Sequence, residues 1–166
     1  MTQTVAPFAV SHVFSAPRKL VWDLYSLPEH QLPVLGPAGD PSLYSKMDFR
    51  VGGTHHYAMP GGGAQMWGLQ RYLEIVPLEK IVLIQAFSDK DRGLTRHPLA
   101  PTWPAEMHST IQLEDAADGQ CKVTITWVPH TSDAAGDATF DGARQSMEGG
   151  FGHLFGVIDK YLASLQ

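Results

Sequence analysis

The chain has 166 residues, only 17% of them charged, a formal net charge of -5 and a pI near 5.8. That balance lacks the basic footprint a phosphate backbone requires and argues against nucleic acid as a partner. At this length one domain over residues 1–166 is expected, with about 70% of the unfolded chain's surface available for burial.

The longest apolar run, around Ile81–Ile84, falls far short of the ~20 residues of a spanning helix, so no membrane span is expected. The first residues carry neither a charged n-region nor an apolar h-region, and a single Cys121 cannot form an internal disulfide. Both features suit a cytoplasmic protein. Cys121 itself is expected as a small buried hydrophobe at a strand start.

In chain order, Phe8 to Ser15 alternates as a strand with Phe8, Val10, His12 and Phe14 on one face. Ser15 stands where it can cap a helix, Pro17 where its missing N–H costs nothing, and Leu20, Val21, Leu24 and Tyr25 give helical spacing that ends near Ser26. Pro28 to Leu32 adds another turn, after which Pro33, Gly36, Pro37, Gly39 and Pro41 break all periodicity until about residue 43. From there the period becomes two. Leu43–Val51, Thr54–Met59, Met66–Ile75, Lys80–Phe87, Ala105–Glu114 and Cys121–Val128 read as six further strands, separated by turn signals such as Gly52-Gly53 and Asp118-Gly119. Connections this short permit only antiparallel pairing. Asp89–Pro104 is the exception, a sixteen-residue stretch with three prolines and Trp103. It reads either as a lid over a cavity or as a solvated insertion tied down by Trp103.

Thr139–Leu165 closes the chain as a long helix. Phe140, Ala143, Met147, Phe151, Leu154, Ile158, Tyr161, Leu162 and Leu165 form one apolar stripe. Gly142, Gly149, Gly156 and Ala163 lie nearly opposite at intervals of seven. Each helical glycine costs roughly 0.8–1 kcal/mol against alanine, so this helix depends on the packing of its apolar face. Two readings of the small strip stand. It is tolerated on an exposed face, or it admits a second copy in a homodimer.

If the sheet curls round this helix, alternation assigns the interior. His55, Tyr57 and Met59 point inward from one strand, and Trp67, Leu69, Arg71 and Leu73 from the next. Met107, Ser109, Ile111 and Leu113 follow, then Val123, Ile125 and Trp127. An apolar interior with isolated His55, Tyr57, Arg71 and Ser109 suits a small-molecule pocket, unless these groups satisfy one another in a filled core. The pocket wall so defined comprises His55, Tyr57, Met59, Trp67, Leu69, Arg71, Trp103, Ser109, Ile111, Met147, Phe151 and Leu154. No metal or cofactor is expected. His55 and His56 point to opposite faces, His97 lies in the long loop, and no ligand-spaced Cys/His cluster occurs. Gly61-Gly62-Gly63 joins two strands and precedes no helix, so it is no phosphate cradle.

Several segments carry a family likeness: Pro17-Arg18-Lys19-Leu20-Val21-Trp22-Asp23-Leu24, Met47-Asp48-Phe49-Arg50-Val51-Gly52-Gly53, Tyr72-Leu73-Glu74-Ile75-Val76-Pro77, and Gly150-Phe151-Gly152 ahead of Tyr161-Leu162. Together they resemble bacterial proteins named for similarity to the activator of the heat-shock-protein ATPase, within the START or SRPBCC superfamily that includes the birch pollen allergen. Gln31–Leu35 departs from the tryptophans common there, as do Leu78 and Lys80 from the usual proline and arginine. The resemblance implies an α+β helix-grip fold. A seven-stranded antiparallel sheet would wrap the C-terminal helix around an apolar cavity, with short helices after the first strand. It implies a protein that binds or carries a small hydrophobic molecule. Its rivals are a cyclase- or hydrolase-type enzyme using His55 and Tyr57 as acid and base, and a chaperone-interaction module.

Overall fold

A computed structural model describes residues 5–61 and 64–166, so the chain start and the Gly62-Gly63 tip considered above lie outside the described residues. Seven strands form one antiparallel sheet: β1 (Phe8–Phe14), β2 (Tyr44–Met47), β3 (Thr54–Gly61), β4 (Ala64–Val76), β5 (Lys80–Ser88), β6 (Glu106–Asp115) and β7 (Cys121–Thr131), in the spatial order β1-β7-β6-β5-β4-β3-β2. Each strand from β2 to β7 pairs with its neighbour in sequence, and β1 joins β7 across the full fold. The β6–β7 hairpin turns through Asp118 and Gly119, both at positive φ (58° and 72°), where an Asp-Gly pair is tolerated.

Between β1 and β2 run α1 (Arg18–Ser26), a single 3₁₀ turn at Pro28–His30, and the short α2 (Leu32–Leu35). Helical turn α2 lies where the sequence pointed to loop, with Pro33 accommodated in its first turn. Ser15 does not cap α1. The N-cap is Pro17 in extended conformation, and the Ser15 hydroxyl instead accepts from Gln120 Nε2 at 3.2 Å. No helix among the described residues is long and apolar enough to cross a membrane.

The terminal segment is two helices rather than one. Asp133 caps α3 (Ala134–Gly142) by accepting from the Gly136 N–H at 2.7 Å, and α4 runs Arg144–Ser164. Ala143 breaks them at φ -97°, ψ 4°. A single tightened turn hardly disturbs a three-four spacing of apolar residues, so the break leaves no mark on the pattern. It lets Phe140 turn under the 89–104 segment, 6.0 Å from Trp103, while Arg144 donates to the carbonyls of Ala6 and Pro7.

Helix α4 crosses the concave face toward the β1 and β7 side. Phe151 meets Phe8 at 6.0 Å and Trp127 at 4.9 Å, Phe155 meets Phe14 at 5.7 Å and His12 at 5.0 Å, and His12 Nε2 reaches Asp159 at 2.9 Å. Phe155 stands outside the stripe drawn from sequence yet is among the most buried residues of α4, whereas Leu165 at the stripe's end is 42% exposed. Gly142, Gly149 and Gly156 face open space and Ala163 is exposed. Cys121 is fully buried at the start of β7.

Phe155→Ala is expected to cost about 3–5 kcal/mol in chemical denaturation, because the cavity left between α4 and β1 has no side chain free to fill it. Leu165→Ala should stay within about 0.5 kcal/mol.

Candidate ligand cavity

Between the sheet and α4 lies a cavity of about 940 Å³. The sheet contributes His55, Tyr57 and Met59 from β3, Gln70 and Tyr72 from β4, Leu83 and Gln85 from β5, Ser109 and Ile111 from β6, and Ile125 and Trp127 from β7. Helix α4 contributes Met147, Phe151, Leu154 and Ile158, and α1 contributes Leu24 and Tyr25. Pro33–Ala38, with His153, Lys160 and Tyr161 of α4, forms the rim. A hydrogen bond of 2.6 Å between His30 and the Tyr161 hydroxyl ties the α1–α2 connection to α4 beside it.

Of the residues expected to wall a pocket, His55, Tyr57, Met59, Ser109, Ile111, Met147, Phe151 and Leu154 all line this cavity. Trp103 instead lines a second, smaller cavity of about 380 Å³ beneath the 89–104 segment, which shares Tyr57, Gln85, Trp127 and Met147 with the first. That segment is fastened down. Asp89 accepts from the backbone N–H groups of Asp91 and Gly93 at 2.8 Å, Arg96 donates to the Trp103 carbonyl at 3.0 Å, and the Thr102 and Thr139 hydroxyls meet at 2.7 Å. It roofs the smaller cavity, and the Pro33–Ala38 segment borders the larger one.

Trp67, Leu69 and Arg71 are on the other face of the sheet. Trp67 stacks on His56 at 4.9 Å, Leu69 pairs with His56 and Ala86, and Arg71 is nearly half exposed with Glu106 at 3.7 Å. Hydrophobicity misleads on β4 because its outer face is the greasier one, covered locally by Tyr44 and the 89–104 segment. Register decides. Gly61 pairs with Ala64 and Met59 with Met66, so Met66, Gly68, Gln70 and Tyr72 share the face of His55 and Tyr57. In the sequence, the short Gly-rich connection between the two strand patterns is the signal for the register that places Gln70 and Tyr72 inside.

This register assembles a polar row across four strands. Ser45 of β2 lies 2.9 Å from His55 Nε2, and His55 Nδ1 faces Gln70 Oε1 at 3.4 Å. Gln70 Nε2 donates to Gln85 Oε1 at 3.4 Å, and Gln85 Nε2 donates to the Tyr57 hydroxyl at 3.3 Å. Tyr57 reaches Gln85, two strands away, by lying flat over Gly68. A Cβ at Gly68 would run into Cζ and the hydroxyl of that ring and stand 2.7 Å from its Cε1. A glycine inside a strand weakens it, and here it allows the close approach. Farther along the wall Trp127 Nε1 donates to Ser109 Oγ at 3.1 Å, while the buried Tyr25 hydroxyl has no partner among the described residues.

Burial keeps the wall uncharged. It lowers His55 from its ordinary 6.5 to about 4, with the Gln70 contact opposing and the neighbouring His56 assisting, and it raises Tyr57 to about 12. Tyr25 and Tyr72 are likewise pushed up by desolvation. Ser45, His55 and Gln70 have the contacts of a nucleophile, base and orienting group. Ser45, however, is not among the cavity-lining residues, and an imidazole held near 4 is a weak base at neutral pH.

The family model for the Activator of Hsp90 ATPase homolog 1-like protein matches residues 15–163. Similar solved structures include protein Ms6760 from Mycobacterium smegmatis (20% identity, 97% of this chain and 96% of that one, TM-score 0.73) and a protein from Arthrobacter aurescens (22%, 95% and 86%, 0.70). Ara h 8.0201 is similar as well (17%, 96% and 99%, 0.66). At these identities the likeness is one of fold. No match is found among curated proteins.

Gly68→Ala should lower stability by about 1–3 kcal/mol, because the Tyr57 ring must move. In a denaturation double-mutant cycle most of that loss should disappear when Tyr57 is also changed to Ala. For His55 the unfolded state takes up a proton near 6.5 and the folded state only near 4. Its contribution is therefore complete above pH 6.5 and lost as the pH falls toward 4. Between pH 7.5 and 4.5 the wild type should lose about 2–3 kcal/mol more than His55→Gln in urea titrations.

Proposed function

The chain belongs to the Activator of Hsp90 ATPase homolog 1-like family, and from that premise we propose that it binds or carries a small hydrophobic molecule in the cavity between the sheet and α4. The observation that carries this reading is the cavity itself: about 940 Å³ of space walled by Met59, Leu83, Ile111, Ile125, Met147, Phe151 and Leu154, with a few polar groups gathered on one side. Natural ligand sites combine these two features at roughly 300–1,000 Å³. A filled core would have closed the space with side chains, as happens where Phe151 and Phe155 meet β1.

The enzyme reading would give His55 and Tyr57 the parts of base and acid. Their values, about 4 and about 12, lie well to either side of neutrality, where proton exchange at pH 7 is least efficient. That separation favours binding over turnover. The chaperone-interaction reading rests on the family description alone.

Native mass spectrometry of freshly purified protein, followed by organic extraction, should release an apolar molecule carried through purification. Leu154→Trp, which extends an indole into the cavity, should abolish that carriage while the protein stays folded by circular dichroism. A wild-type protein that neither retains a molecule nor takes up any apolar probe would overturn the proposal.

A further inference from the structure

The direction of the polar row says what kind of ligand the cavity suits. Begin at its far end. His55 is neutral, so one ring nitrogen carries a proton and the other accepts. Nδ1 faces a carbonyl oxygen, Gln70 Oε1, and must be the donor; Nε2 then accepts from the Ser45 hydroxyl. Gln70 passes the same polarity on through its amide nitrogen to Gln85 Oε1, and Gln85 passes it through its own amide nitrogen to the Tyr57 oxygen. Every donor in the row points toward Tyr57. The phenol oxygen is already an acceptor for Gln85, and its own O–H has no acceptor among the described residues.

Tyr25 borders the same cavity from α1, but its hydroxyl is enclosed by surrounding side chains, without a hydrogen-bond partner among the described residues, and presents no donor to the open space. Tyr57, by contrast, brings an unspent O–H donor to the apolar space. Among the cavity-lining residues there is no aspartate or glutamate, and the lone lysine, Lys160, is exposed at the rim. A charged ligand would therefore lose its hydration without gaining a buried counter-charge, and a ligand rich in hydroxyls would bring donors to a wall that already has donors to spare.

Resting on the cavity reading above, we infer that the preferred ligand is a neutral, largely apolar carbonyl compound whose oxygen accepts the hydrogen bond of Tyr57.

Three tricyclic probes of matched shape separate the cases: fluorene, which lacks oxygen, 9-fluorenone, which adds an acceptor alone, and 9-fluorenol, whose hydroxyl both accepts and donates. Affinities are read from quenching of tryptophan fluorescence, Trp127 being part of the wall. Wild-type protein should bind fluorenone roughly 5–10-fold tighter than fluorene, the increment of a net hydrogen bond, and tighter than fluorenol. In Tyr57→Phe the fluorenone-to-fluorene ratio should fall to about one, and in Tyr25→Phe it should stay at the wild-type value. The infrared carbonyl band of bound fluorenone should sit at lower frequency in wild type than in Tyr57→Phe, a readout that a purely structural role for this tyrosine would not move. Fluorene and fluorenone binding equally well to wild type would overturn the inference while leaving the cavity reading intact. A preference for fluorenol would also overturn it, by showing that the wall takes up the alcohol proton, as it would with the amide row reversed and Tyr57 accepting. If none of the three binds, the cavity reading falls together with the inference.

Discussion

A single helix cannot cover a seven-stranded sheet, and most of this structure follows from that mismatch. Six inter-strand gaps of about 4.8 Å make a surface roughly 29 Å across, against a helix about 10 Å in diameter. Helix α4 must bury its apolar stripe, and it does so toward one side, where Phe151 and Phe155 pack on Phe8, His12, Phe14 and Trp127. The inner faces of β3, β4 and β5 are left beyond its reach. Helix α1 and the Pro33–Ala38 segment border that remainder without filling it, and the uncovered part of the concave face becomes the cavity.

The same mismatch explains where the polar residues are found. Side chains packed beneath α4 are almost all apolar, because an unpaired polar group there would have no relief. On β3 to β5 the wall faces open space, and His55, Gln70, Gln85 and Tyr57 can be accommodated because each pairs with its neighbour across the strands. Satisfied in a row, they cost little and stay neutral. Gly68 is the residue that makes the row reach so far, since any side chain there would lift Tyr57 off the sheet. The local geometry thus trades strand propensity for the placement of one phenol.

Membership of the family and similarity to solved structures at 16–23% identity fix the architecture and leave the chemistry to this chain's own residues. The wall is specific in its polarity, with neutral donors on the sheet side, no buried acid among its residues, and one exposed lysine at the rim. Nothing in a fold shared at that distance would dictate those identities.

Sequence alone determined a good deal. The change from helical to two-residue period, the short turns and the terminal apolar stripe specified seven antiparallel strands and a gripping helix, because alternation and the three-four spacing are local consequences of burying one face. The inward sets on β1, β6 and β7 could be read in the same way, since on those strands the buried face is also the more apolar. On β3 the larger side chains marked the inward face, although His56 and Ala58 opposite are just as buried. Tertiary structure decided the rest. On β4 the outer face, with Trp67 and Leu69, is the greasier, so only pairing with β3 reveals that Gly68, Gln70 and Tyr72 face the cavity. The break at Ala143 keeps the helical spacing and is invisible in the pattern. The polar row joins residues from positions 45, 55, 57, 70 and 85. No local rule links them, because hydrogen bonds across a sheet depend on register, and register is settled only when the strands meet.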